Sequence, residues 1–319
     1  SWNASHAFWH AEYYGIMLSI CIPAYHCNVD ALLRALQNQL VSVSGEAEIV
    51  VCDDCSPSPI ITNPSEFPDV RVLRNSKNLG RARTRNLLVQ SAQGQAILFL
   101  DGDSEVISSN FISSWIEIAQ NPSIAVSYGG SIYQEDPPPS SHFLRWKVST
   151  KRESKTLEER NCNVGGFKTN NVLIRRSVFE KVTFNEQLTG YGHEDTLFGF
   201  ELQMNGYNMH HLDNPVRNAL LDTNEAFLAK TVEAIRNLSK CIEFASDREA
   251  FIAHVRLLNV YAKLKKYYIL ILLRLTAFVC MHILYKRLKS GRSFAIVFAF
   301  DCFKLFQLNR ILDAQHHKP

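Results

Sequence analysis

The sequence predicts an α/β fold, with a mostly parallel central sheet covered by helices on both faces and a C-terminal helical extension. Three observations point there. Short apolar runs alternate with segments of helical spacing from Leu18 to Ala119. Polar residues, several of them Asp, follow the strand-like runs instead of interrupting them. From Asn224 onward the spacing is helical only. Alternation of strand and helix implies parallel strands joined by right-handed crossovers. Ligands in such sheets lie beyond the carboxyl ends of the strands.

The elements follow in order. Leu18–Ile22 is a buried strand ended by Pro23. Val29–Leu40 spaces Leu32, Leu33, Leu36 and Leu40 along one helical face. Glu48–Cys52 is a second strand running into Asp53–Asp54, and Val70–Leu73 a third. Arg81–Ala92 is a helix closed by Gly94, Ala96–Leu100 a fourth strand ending at Asp101, and Asn110–Ala119 a helix. Ala125–Tyr128 is a strand, and the three consecutive prolines within Asp136–Ser141 mark a loop. The charged stretch Lys147–Arg160 is a flexible segment or a short helix. Val172–Ile174 and Asn208–Leu212 are strands, Arg176–Val182 a short helix, and Glu194–Met204 a helix ended near Gly206.

A chain of 319 residues with 46% hydrophobic content has ample material for a core and is not a disordered protein. Its net charge of +3 gives no reason to expect nucleic acid as a partner. The distribution of charge says more. Between Arg256 and Arg292 there are nine Lys or Arg and no Asp or Glu, around the most apolar run of the chain. Tyr267–Tyr285 approaches the ~20 residues needed to span a bilayer, but Arg274 and His282 interrupt it. The expectation is a membrane-surface element over 256–292, on the anionic inner face, with a helical bundle packed on the rest of the chain, and then a true span, as the alternatives. Eight cysteines are present. Only Cys52 and Cys55 form a C-x-x-C, with Asp53–Asp54 inside it and no second pair, so a zinc site is not expected. Buried free thiols in a reducing cytoplasm are. The aromatic-rich residues 1–16 read as a lead-in outside the fold. The expected organisation is therefore 1–16 lead-in, 17–223 α/β domain and 224–319 helical, membrane-associating extension.

Two motifs carry chemistry. Asp101–Gly102–Asp103 ends the fourth strand. Two carboxylates there suit Mg²⁺ or Mn²⁺, which takes oxygen ligands and leaves positions for phosphates. Gly102 is expected to let a phosphate approach the backbone. Alone, such a motif is as readily a solvated turn. Asp53–Asp54 ends another strand, and Arg81, Arg83 and Arg85 precede the fourth, facing phosphate or bracing the acids. The second motif, Gly190-Tyr191-Gly192-His193-Glu194-Asp195, opens a helix. The dipole favours carboxylates there, whether they only cap or also act as a base.

Together these residues resemble a known family. Ser19–Tyr25, Val50–Ser56, Asn78–Asn86, Phe99–Asp103 and Gly192–Asp195, in this order, look like a family 2 glycosyltransferase of the GT-A fold, over about Leu18 to Glu225. The resemblance implies an inverting, metal-dependent transferase using a nucleotide sugar, often a UDP-sugar. It places Pro23 and Tyr25 beside the nucleotide, Asp54 on the base with Asp53 in support, and Asp101 near the ribose or donor sugar. It makes Asp103 the metal ligand, Asp195 the catalytic base and Glu194 its acceptor-side neighbour, with Arg85 and Asn86 beneath the donor site. The acceptor implied is a glycan or a lipid-linked molecule, selected by Tyr133–Thr169. One departure stands out. Arg217–Asn218 occupies the place where a further metal-ligating His is expected, so His211 is a candidate substitute and Arg217 a candidate phosphate partner. The competing readings are a nucleotidyltransferase, which lacks its Gly-rich basic loop here, and a non-catalytic sugar-nucleotide-binding protein.

Overall fold

The computed structural model describes residues 17–43, 45–60, 66–162, 167–266, 281–291 and 295–316. The lead-in 1–16 and the apolar stretch 267–280 lie outside them. A seven-stranded sheet is ordered β3-β2-β1-β4-β8-β6-β9. Its strands are β1 (Leu18–Ala24), β2 (Ala47–Asp53), β3 (Val70–Arg74), β4 (Ala96–Phe99), β6 (Val126–Tyr128), β8 (Val172–Arg175) and β9 (Met209–His211). β1 is parallel to β2 and β4, and β2 to β3, as the alternation requires. β8 runs antiparallel to both β4 and β6. A second sheet joins β5 (Ser104–Val106), β10 (Val216–Asn218) and β7 (Ser131–Ile132).

Pro23 does not end β1, which continues to Ala24 beside Asp53. The pairing of β1 with β4 stops at Cys21 opposite Phe99. The missing N–H of Pro23 therefore faces a side with no partner strand to feed. One core lies under helices α1 (Asp30–Leu40) and α3 (Phe111–Gln120), where Leu32, Leu33, Leu36 and Trp115 meet Ile20, Ile22 and Val51. The other lies under α2 (Arg81–Ser91) and α6 (Glu194–Met204), where Leu88 and Phe198 meet Cys21, Val50 and Phe99. Alternate residues of the same buried strands serve the two cores.

The charged stretch folds as α4 (Phe143–Arg152) and α5 (Leu157–Cys162). The extension comprises α7 (Asn224–Phe244), α8 (Arg248–His254), α9 (Arg256–Lys266), helical residues 281–290 (α10) and α11 (Ile296–His316). It packs directly against the α/β unit. Leu188, Leu197 and Phe200 share one core with Ile235, Leu238, Cys241, Phe251, Leu258 and Leu308. The apolar stripe of α9 is thus consumed inside the protein, leaving Val260 and the basic residues Lys263, Lys265 and Lys266 outside. Among the described residues no helix is long and apolar enough to cross a membrane.

Candidate active site

Strand ends and the start of α6 meet at Arg85. Its guanidinium, 1% exposed, donates to Glu194 Oε1 at 2.9 Å and to Asp101 Oδ1 at 3.4 Å. One cation thus ties the motif at the end of β4 to the motif that opens α6, residues 93 positions apart in sequence between Asp101 and Glu194. Phe184 packs its ring 5.6 Å from the same guanidinium. Of the two roles expected of it, facing phosphate or bracing the acids, the enclosed side chain takes the second, paired with two carboxylates. Arg81, one turn earlier, is half-exposed. It lies 3.9 Å from Glu194 Oε1 and 4.7 Å over the Tyr191 ring, in the field of Asp101 and Asp195.

Glu194 and Asp195 are adjacent, yet their environments pull their proton affinities apart. Burial alone would raise the Glu194 carboxyl, but Arg85 and Arg81 hold it below its ordinary value. Its Oε2 is buried with no hydrogen-bond donor among the described residues. Asp195 is pushed up to about 6 by burial and by the Glu194 charge, against the smaller pull of Arg85. Its Oδ1 accepts from the Thr196 N–H at 2.7 Å. Divergent environments of this kind separate a fixed carboxylate from one that exchanges protons near neutral pH. His193, with φ +67°, caps α6 in the left-handed region and contacts Thr196 Oγ1 through Nδ1 at 3.0 Å. Burial lowers its pKa to about 4, so the ring is neutral at pH 7.

Asp103 is the open acid. Its carboxylate takes no ion pair or hydrogen bond from another described residue, while burial and the neighbouring Asp101 charge raise its pKa. Two crowded carboxylates with one guanidinium at the edge suit a divalent cation, which needs few protein ligands when phosphates supply the rest. The chain therefore fits such an ion at Asp103 with Asp101 alongside, although no group of three His, Cys, Asp or Glu occurs among the described residues. His211 packs 6.2 Å from the Tyr128 ring with the Arg160 charge beside it, and its buried Nδ1 has no partner among the described residues. Asn218 does stand opposite Ser104, next to Asp103, but its Oδ1 accepts from Asn170 Nδ2 at 2.9 Å. Arg217 is paired with Glu105 at 3.1 Å, both side chains partly exposed.

Gly102 has a different reason from the one expected. A Cβ there would lie 2.9 Å from Cys27 Sγ and 3.1 Å from Val29 Cγ1, so the glycine admits the loop before α1. Asp53 and Asp54 are both held by donors of the chain itself. Asp53, fully buried, accepts from the N–H groups of Ser56 and Ile60 and from Arg74. Burial opposes its ionisation, but these donors keep its pKa below the ordinary value. Asp54 accepts from Asn75 Nδ2, Leu79 N–H and Gly80 N–H at 2.8 to 2.9 Å, fixing the turn into α2. Both carboxylates are buried. Tyr25, 53% exposed, directly follows β1, and Pro23 lies within the strand one residue before its end.

Two groups went unread in the sequence. Asn170 accepts from Asp101 N–H and Ser104 Oγ while donating to Asn218, so it pins the acidic turn to the second sheet. The Asn170–Asn171 pair directly before an apolar strand was the available signal. On the other wall Glu153 accepts from Tyr133 Oη at 2.6 Å and Arg145 at 2.9 Å, with Lys168 Nζ at 2.7 Å. Burial opposes the charge of Glu153, but Lys168 and Arg145 hold it far below the carboxylate range. Arg145 also lies in the field of Tyr191, and its charge acts on Asp103. The segment expected to select the acceptor thus faces the acids.

The sequence model of glycosyl transferase family 2 matches residues 19–183, just over half of the chain. An uncharacterized glycosyltransferase of Haemophilus influenzae is 35% identical over 114 residues, 35% of this chain and 38% of that protein. The Escherichia coli UDP-Glc:alpha-D-GlcNAc-diphosphoundecaprenol beta-1,3-glucosyltransferase WfaP is 28% identical over 122 residues, 38% of this chain and 48% of that protein. The matches span less than half the length of both relatives. The solved mannosyltransferase PcManGT from Pyrobaculum calidifontis, in complex with GDP-Man and Mn2+, superposes with a TM-score of 0.50 at 13% identity. It covers 94% of this chain and 88% of its own. This likeness shows the fold, a GT-A sheet with C-terminal helices.

Proposed function

The chain belongs to glycosyl transferase family 2, and on that premise we propose that it moves a sugar from a nucleotide-sugar donor, a UDP-sugar, to a hydroxyl of a glycan or lipid-linked acceptor with inversion at the anomeric carbon. The observation that carries this reading is the split between Glu194, fixed as an anion by Arg85, and Asp195, raised to about 6. Asp195 takes the proton of the acceptor hydroxyl as its oxygen attacks the anomeric carbon, and the bond to the diphosphate breaks on the opposite face. Arg81 and Tyr191 border the path, and the Tyr133–Arg145–Glu153 wall holds the acceptor in line. A divalent ion held at Asp103 would supply neutralisation of the departing diphosphate. Support for a UDP-sugar and a diphosphate-lipid acceptor comes from the printed activity of WfaP, and support for the ion from the Mn2+ held by PcManGT. UDP release from a panel of UDP-sugars, with GDP-mannose as the alternative donor, tests the reading. Release of pyrophosphate instead means a nucleotidyltransferase, and tight binding without release means a binding protein.

The ion has its own test. At Mn²⁺ about a hundredfold above its Kd, with UDP present, the wild type gains about 2.7 kcal/mol of apparent stability. Asp103→Asn removes this gain in melting temperature, and an undiminished gain would place the ion elsewhere.

Membrane contact is the second part of the proposal, at the inner face. Lys263, Lys265 and Lys266 at the end of α9 and Lys286 and Arg287 in α10 are exposed, as are the apolar Ile283, Tyr285 and Phe298. Each Lys near an anionic surface is worth about 1 kcal/mol, so changing Lys263, Lys265 and Lys266 to Gln weakens binding to anionic vesicles by about a hundredfold. Co-sedimentation with anionic against neutral vesicles measures this. Equal binding of wild type and variant means that α9 does not touch the surface.

A further inference from the structure

We propose that Glu233 and Asn237 on α7 are positioning residues for the catalytic acids, an inference that rests on Asp195 being the base. The four residues before Glu194 lie along one stripe of α7. Glu233 Oε1 accepts from the Tyr191 N–H at 2.9 Å. Asn237 Nδ2 donates to the Gly192 carbonyl at 3.2 Å, and the Cys241 thiol to the His193 carbonyl at 3.6 Å. Residues 233, 237 and 241 are spaced by four, which places them on one helix face. Lys230, one turn earlier on that face, sits 5.5 Å over the Tyr191 ring.

The approach is close enough to dictate sequence. A Cβ on Gly190 would lie 2.9 Å from Asn237 Oδ1. A Cβ on Gly192, whose φ is +86°, would lie 2.8 Å from the Ala234 Cβ. The glycines of the motif are thus required by α7 itself. His193, at φ +67°, adds a non-glycine residue in the left-handed region. Such conformations cost free energy and persist only where the surroundings over-determine them. Here α7 supplies the surroundings. The extension therefore sets the start of α6, and with it the angle at which Asp195 meets an acceptor.

Glu233 is exposed, so its replacement spares the core. The test compares Glu233→Ala, Glu233→Gln and, as a control on another face of α7, the exposed Arg236→Ala, by steady-state kinetics on the purified full chain. Displacements of about 1 Å cost up to a hundredfold in rate. Glu233→Ala is expected to lower kcat by about tenfold to a hundredfold, with the donor KM changed less than about threefold. Glu233→Gln keeps an acceptor oxygen and restores kcat, and Arg236→Ala leaves it unchanged. Asn237→Ala repeats the kcat loss, with circular dichroism confirming that the variant is folded. An active wild type with unchanged kcat in Glu233→Ala overturns the inference. An equal loss in Arg236→Ala overturns it too, by showing a general effect of α7. A wild type that transfers no sugar overturns the assignment of function on which the inference rests.

Discussion

Replacing Asp195 by Asn lowers kcat by about a thousandfold while donor binding persists, the span expected when a general base is lost. The amide is nearly the same size and keeps an oxygen for the Thr196 N–H, so the change removes proton acceptance and little else. Wild-type kcat falls as pH drops below about 6, because burial and Glu194 raise the carboxyl that must be ionised to act. The sign for stability is opposite. A carboxyl whose folded pKa exceeds its unfolded value stabilises the protein when protonated, and that contribution is lost as pH rises through about 6. The ionised Asp195 carboxylate therefore costs about 3 kcal/mol at neutral pH. Asp195→Asn should melt higher than the wild type above pH 6, with the gap closing below pH 4. A variant that keeps wild-type kcat, or that melts lower at pH 8, would remove Asp195 from the role of base.

The parts legible in sequence were those with local cause. Strands β1, β2, β3 and β4 are apolar runs long enough to show, and their pairing follows from the intervening helices. The acids that end them announced a common edge. The second sheet stayed hidden because its strands are two or three residues long and its pairs join Ser104 to Asn218 and Ser131 to Val216 across the chain. No periodicity survives at that length. Roles within the motifs were harder still. A sequence shows that Asp53, Asp54 and Gly102 stand at strand ends, but only coordinates show that the two carboxylates are filled by backbone N–H groups and that the glycine admits Cys27. The basic helix α9 is a related case, since Leu258 and Tyr261 belong to the core shared with α6 while its lysines stay outside.

The same limit hid the strongest tie in the site. Three arginines at alternate positions of α2 look alike in sequence, yet Arg83 is half-exposed beside Glu186 while Arg85 is enclosed. Arg85→Met removes one partner of a buried pair and leaves Glu194, 3% exposed, without its main counter-charge. Breaking such a pair costs about 3 to 5 kcal/mol. The pH dependence gives the sign. In the wild type Glu194 is depressed, so its contribution is present above the unfolded pKa and lost as pH falls through the folded one. Without Arg85, burial governs, the carboxyl seeks a proton, and stability instead rises on acidification. Adding Glu194→Gln to Arg85→Met removes the stranded charge and should recover most of the lost stability without recovering activity, because Asp101 and the start of α6 are no longer joined. Denaturant melts of the single and double variants at pH 5 and pH 8 measure both effects. A single variant as stable as the wild type at pH 8 would mean that the guanidinium is not what holds the two acidic motifs together.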